Sequence, residues 1–92
     1  MILLAQYIEL HIYHLNELRK YTVIELVKNE HKVSYKIFYN EEYIFTLVPR
    51  KTKWLSFELS EFDEAMDICI DWSLYLKAEA ALFSIFLKEP HS

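Results

Sequence analysis

Glycine is missing from this sequence altogether, although average usage of about 7% would place roughly six among 92 residues. Phosphate-cradling P-loops, dinucleotide fingerprints, EF-hand loops and the G-x-S-x-G elbow each need glycine at fixed positions, because only glycine takes positive φ freely or lets backbone approach a ligand closely. All four classes are excluded. Cysteine occurs once, at Cys69, so no intramolecular disulfide can form and nothing points to an oxidising compartment. Long apolar runs are also lacking: Gln6, Glu9 and His11 interrupt the Met1–Leu4 start, no basic region precedes it, and about 20 apolar residues would be needed to span a membrane. The expected location is cytoplasmic, with no membrane association. Two prolines, Pro49 and Pro90, punctuate the chain.

Aromatic residues are abundant: two Trp, seven Tyr and six Phe. Large planar side chains take the place of small ones and must be packed inside or displayed. Charge is divided unevenly. Eight of the ten basic residues precede Trp54, while Glu58, Glu61, Asp63, Glu64, Asp67 and Asp71 follow it closely, and the net charge is −4. Such asymmetry bears on partners rather than on fold.

Spacings of three and four among Leu3, Leu4, Tyr7, Ile8, Leu10, Leu15 and Leu18 predict an amphipathic helix over residues 2–19, with Arg19 and Lys20 at its C-terminal dipole. Residues 21–27 are β-branched and aromatic in character and read as a first strand or a helical extension, strand being preferred. Val33, Tyr35, Ile37 and Tyr39 alternate with Ser34 and Lys36 in a second strand. Residues 43–48 suit a central strand ended by Pro49, and Leu55, Phe57 and Leu59 form the last. For the 39–43 hairpin, a three-residue loop aligns Ile37 with Phe45 and Tyr35 with Leu47, leaving Glu42 in left-handed backbone. A two-residue Asn40–Glu41 turn suits asparagine better but pairs Tyr35 with Thr46. The core pattern favours the first. Ser60 with Asp63 or Glu64 makes a capping box for a helix from Glu61. Asp71 or Ser73 then caps a final helix of about 15 residues, running to Leu87 and closed by Pro90. The expected fold is a single α+β domain over residues 1–92: N-terminal helix, antiparallel meander of three to four strands, C-terminal helix.

His11, His14 and Glu17 share one face of the expected first helix at metal-ligand spacing, but no second pair completes a site. They read as surface residues, with no metal or cofactor expected. Cys69, flanked by Asp67 and Asp71, reads as buried and inert. Arg50, Lys51 and Lys53 beside Trp54 form the one basic aromatic cluster. The negative net charge argues against a nucleic-acid partner. The aromatics Tyr13, Tyr21, Phe38, Trp54 and Tyr75 fall opposite or beside the assigned core and are candidate interface residues. Glu61, Asp63, Glu64 and Asp67 form a candidate acidic docking patch. With no catalytic constellation visible, the expected function is a non-enzymatic protein-protein interaction module, self-associating as a homodimer. The alternative is a small acidic inhibitor or immunity-type protein that blocks a basic enzyme site, and a metal-binding enzyme built on the histidines ranks third.

Overall fold

A computed structural model describes residues 3–51, 53–66 and 69–88. Five antiparallel strands run in sequence order across one sheet: β1 (Leu3–His14), β2 (Glu17–Lys28), β3 (His31–Tyr39), β4 (Glu42–Lys51) and β5 (Leu55–Leu59). A short helix α1 (Glu61–Ala65) and a long helix α2 (Trp72–Lys88) follow. The fold is α+β, and its meander has more strands than the sequence reading allowed.

The expected N-terminal helix is instead β1 together with the start of β2. Apolar residues in this stretch satisfy two periods at once. Those at three and four residue spacing suggested a helix, yet Ile8, Leu10, Ile12 and His14 also alternate with Tyr7, Glu9, His11 and Tyr13. Register with β2 resolves the ambiguity: Ile8 lies opposite Val23, Leu10 opposite Tyr21 and Ile12 opposite Arg19. The even-numbered set thereby joins a sheet-wide core that no isolated helix could reach.

Three two-residue hairpin turns link β1 to β4, and both residues of each have positive φ: Leu15 and Asn16, Asn29 and Glu30, Asn40 and Glu41. Paired positive φ is the signature of the type I′ turn, whose twist matches that of the flanking strands. Each turn holds one asparagine, the non-glycine residue that best tolerates this region.

The 39–43 hairpin combines features of both expected loops. Its turn is Asn40–Glu41 with Tyr39 opposite Glu42, yet Ile37 faces Phe45 and Tyr35 faces Leu47. A bulge reconciles them, because Phe38 pairs with Tyr43 and Ile44 is left as the extra residue. Glu42 is therefore not the strained position. A second bulge leaves Val33 unpaired, so Val33 does not share the core face of Tyr35 and Ile37. Pro49 does not end β4, which continues to Lys51 with Pro49 opposite Phe57. Pairing with β3 stops at Leu47, so Pro49 occupies a stretch with a neighbour on one side only, where a missing N–H is tolerated.

α2 crosses one sheet face. Leu74, Ala78, Leu82 and Phe86, at successive four-residue steps, are buried against Leu10, Tyr21, Val23, Tyr35, Ile37, Phe45, Leu47 and Phe57. The small side chain of Ala78, fully buried, occupies a position where a chain with glycine could have used it. Phe57 anchors the β5 end of this core, with Tyr35, Phe83 and Phe86 meeting it edge-on at centroid distances of 6.1, 5.1 and 5.5 Å. Both expected caps are present. Ser60 Oγ accepts from the Asp63 N–H at the start of α1, and Asp71 Oδ1 accepts from the Leu74 N–H at the start of α2. Pro90 lies outside the described residues.

Candidate functional site

The opposite face of the sheet carries no covering helix across β1 and β2 among the described residues. Strand alternation places Tyr7, Glu9, His11 and Tyr13 of β1 there, with Leu18, Lys20, Ile24 and Leu26 of β2 and Lys36 and Phe38 of β3. Tyr7, Tyr13 and Leu18 are 77%, 62% and 68% exposed, and Ile24, Leu26 and Phe38 are half-buried. Exposed apolar surface of this extent on a small domain is unusual unless something packs on it. Glu9 lies within ion-pair reach of both His11 (3.7 Å) and Lys20 (3.9 Å), so the charges on this face are partly neutralised from within.

α1 bounds the β4 side of the face. Thr46 donates its N–H to Asp63 Oδ2 (2.7 Å) and accepts at its carbonyl from the Ser60 N–H (3.0 Å). β5 has already left the ladder here, and the Asp63 carboxylate stands where a strand carbonyl would have been. Tyr43 Oη donates to Asp63 Oδ1 (2.7 Å) and lies 2.6 Å from Thr46 Oγ1. Burial, with the adjacent carboxylate, pushes the Tyr43 phenol up to about 12. Between α1 and the sheet lies a cleft of about 520 Å³ lined by Lys36, Phe38, Tyr43, Thr46, Ser60 and Phe62.

The five candidate interface aromatics scatter. Tyr13 and Phe38 share the open face, and Trp54 is exposed in the connection before β5 with Lys53 Nζ 5.9 Å from its ring. Tyr21 is a core residue, 1% exposed beneath α2, and cannot serve an interface directly. Tyr75 is half-buried, donating to the Phe57 carbonyl at 3.0 Å. Tyr7 and Leu18 were missed because a helical reading of residues 2–19 rotates them away from their actual neighbours. Within the acidic patch, Glu61 and Glu64 are exposed, Asp63 is buried and engaged as above, and Asp67 lies outside the described residues.

No family model, curated protein or solved structure matches this chain. Function must be read from the residues themselves.

The metal-ligand face of His11, His14 and Glu17 does not form, because His11 and His14, three apart on β1, point to opposite faces, while Glu17 lies across the turn from His14 in β2. His11 is exposed on the open face, while His14 is buried on the helix face. No group of three ligating side chains is present among the described residues. His14 Nε2 lies 2.8 Å from Asp71 Oδ2 and its Nδ1 lies 3.2 Å from Lys77 Nζ. Lysine only donates, so Nδ1 accepts and Nε2–H donates to the carboxylate. The Leu74 N–H, followed by His14, holds the Asp71 carboxyl below the usual carboxylate range. With both ring nitrogens engaged and the side chain 4% exposed, His14 ties the first turn of α2 to the end of β1. Cys69 is exposed rather than buried.

A third polar group sits inside the core. Tyr35 Oη donates to Glu25 Oε2 at 2.6 Å, and Lys32 Nζ lies 3.8 Å from the same oxygen and 4.6 Å from the Phe86 ring centroid. Burial, with Glu25 alongside, raises the Tyr35 phenol far above its ordinary value. This network links β2, β3 and α2 and has no opening to the open face.

Proposed function

We propose that the chain is a non-enzymatic interaction module that binds a protein partner through the open face of its sheet. The supporting observation is the asymmetry of that sheet. One face is sealed by α2, while the other displays Tyr7, Tyr13 and Leu18 beside half-buried Ile24, Leu26 and Phe38. Tyrosine rings supply large contact areas at low conformational cost and lead among binding hot spots. The buried His14, Glu25 and Asp63 side chains are engaged in internal bonds, which fits a scaffold better than a catalytic centre. The acidic-inhibitor reading loses Asp63, whose carboxylate is consumed by Thr46 and Tyr43.

The test compares affinity capture by the wild-type chain with capture by a Tyr7→Ser/Tyr13→Ser/Leu18→Ser variant and by a Trp54→Ser control. A partner retained by the control and lost by the triple variant is the expected result. A partner retained equally by all three would overturn the assignment of the open face.

A further inference from the structure

We propose that β1 is a self-recognition edge, pairing antiparallel with β1 of a second copy about a two-fold axis through Leu10. Strand β1 ends the sheet, and no described residue pairs with its outer side. Natural sheets blunt such edges with short strands, proline, lysine or bulges. The opposite edge, β5, has only five residues. β1 instead has twelve, with no proline, lysine, arginine or register shift.

Its sequence is self-complementary. Tyr7-Ile8-Glu9-Leu10-His11-Ile12-Tyr13 reads alike from either end, except that an acid on one side of Leu10 is matched by a histidine on the other. Antiparallel pairing about Leu10 therefore sets Glu9 against the second copy's His11, Tyr7 against its Tyr13 and Ile8 against its Ile12. Opposite-charge and aromatic pairs stabilise when directly across strands, and like charges destabilise. Centring on Glu9 would oppose two carboxylates, and centring on Ile8 would leave Glu9 across from tyrosine. The charges select the Leu10 register.

Backbone geometry agrees with this register. The two-residue turn makes His14 and Glu17 a hydrogen-bonded pair, so alternation directs the N–H and C=O groups of the odd-numbered β1 residues outward. Those are the residues that would bond across the axis, giving about eight intermolecular hydrogen bonds between Tyr7 and Tyr13 of the two copies. Because the axis is perpendicular to the sheet, both α2 helices stay on one side and the two open faces become continuous. This edge contact does not rest on a partner binding the open face.

Sedimentation velocity across the micromolar to millimolar range tests the pairing, since wild type should approach twice 11.2 kDa. His11→Glu sets carboxylate against carboxylate and Glu9→Lys removes the acid that faces His11, and each should weaken association about tenfold or more. The double variant E9K/H11E restores the opposition and should recover the dimer. Both side chains are exposed, at 57% and 62%, so circular dichroism should be unchanged in all three. His11→Pro removes an outward N–H unused by β2 and should also give monomer. A wild-type monomer throughout, a dimer indifferent to His11→Glu, or failure of the double variant to recover would each overturn the inference. A dimer lost in Leu18→Ser but intact in His11→Glu would also overturn it, placing association on the open face instead.

Discussion

Six residues, two in each of three turns, carry the conformational cost of a glycine-free meander. Left-handed backbone costs an L-residue with a Cβ about 1–2 kcal/mol, with asparagine at the low end. Leu15, Glu30 and Glu41 lack asparagine's local hydrogen bonding and are the expensive partners at φ of 51°, 67° and 67°. Glu41→Gly and Glu30→Gly should each stabilise by about 0.5–1 kcal/mol, raising Tm by a few degrees in a thermal melt. Glu42→Gly should lower Tm instead, because Glu42 is an ordinary strand residue opposite Tyr39; a three-residue loop would give the reverse. Tyr21 poses a different question. Its hydroxyl is buried with no hydrogen-bond partner among the described residues, so Tyr21→Phe should be neutral or stabilising by up to about 1 kcal/mol in chemical denaturation.

Among the elements, α2 is held by its apolar stripe and by polar ties near its start, where Asp71 and Lys77 meet His14 and Tyr75 meets the Phe57 carbonyl. Asp71 caps the helix and receives the His14 N–H, so Asp71→Ala should cost about 2 kcal/mol in urea unfolding near neutral pH, from the lost cap and the stranded imidazole. The sign of its pH dependence follows from the carboxyl's depressed pKa in the fold. Its contribution is present above the unfolded carboxylate value of about 3.9 and is lost as pH falls through the lower folded value. The gap between Asp71→Ala and wild type should therefore close in acid. Ala78 sets the approach of α2 to the sheet, and Ala78→Leu should destabilise by about 1–3 kcal/mol through overpacking. α2, its break near Asp71 and both caps were legible in sequence, because capping is written within three residues. β1 was not. Its apolar residues fit a helix and a strand alike, and its partner β2 begins only across a Leu15–Asn16 turn that lacks the usual Asn–Gly signal. Alternation from Ile8 to His14 and asparagines at 16, 29 and 40 were the available clues.

At the scale of the molecule, and among the described residues, the sheet has a sealed face, an open face and one long free edge. Its basic and acidic segments meet across the β4–β5 pair. Arg50 of the basic segment meets Glu58 of the acidic one at 2.9 Å across the β4–β5 pair. Native-state hydrogen exchange should find the slowest amides around Val23, Ile37 and Phe45, where neighbouring strands and α2 enclose the backbone, and earlier opening in β5, which is short and at an edge.

Composition alone excluded the glycine-dependent nucleotide and calcium loops, and local patterning placed β3, β4, β5, the two caps and α2 to within a few residues. Those features depend on side-chain chemistry a few positions apart. Tertiary structure decided the rest: that residues 3–14 extend rather than coil, that Tyr21 and Asp63 go inside, that His11 and His14 part company, and that Tyr7 and Leu18 share one uncovered face. Each depends on a partner distant in sequence. A period-two strand acquires an inside and an outside only when the strand beside it is in register.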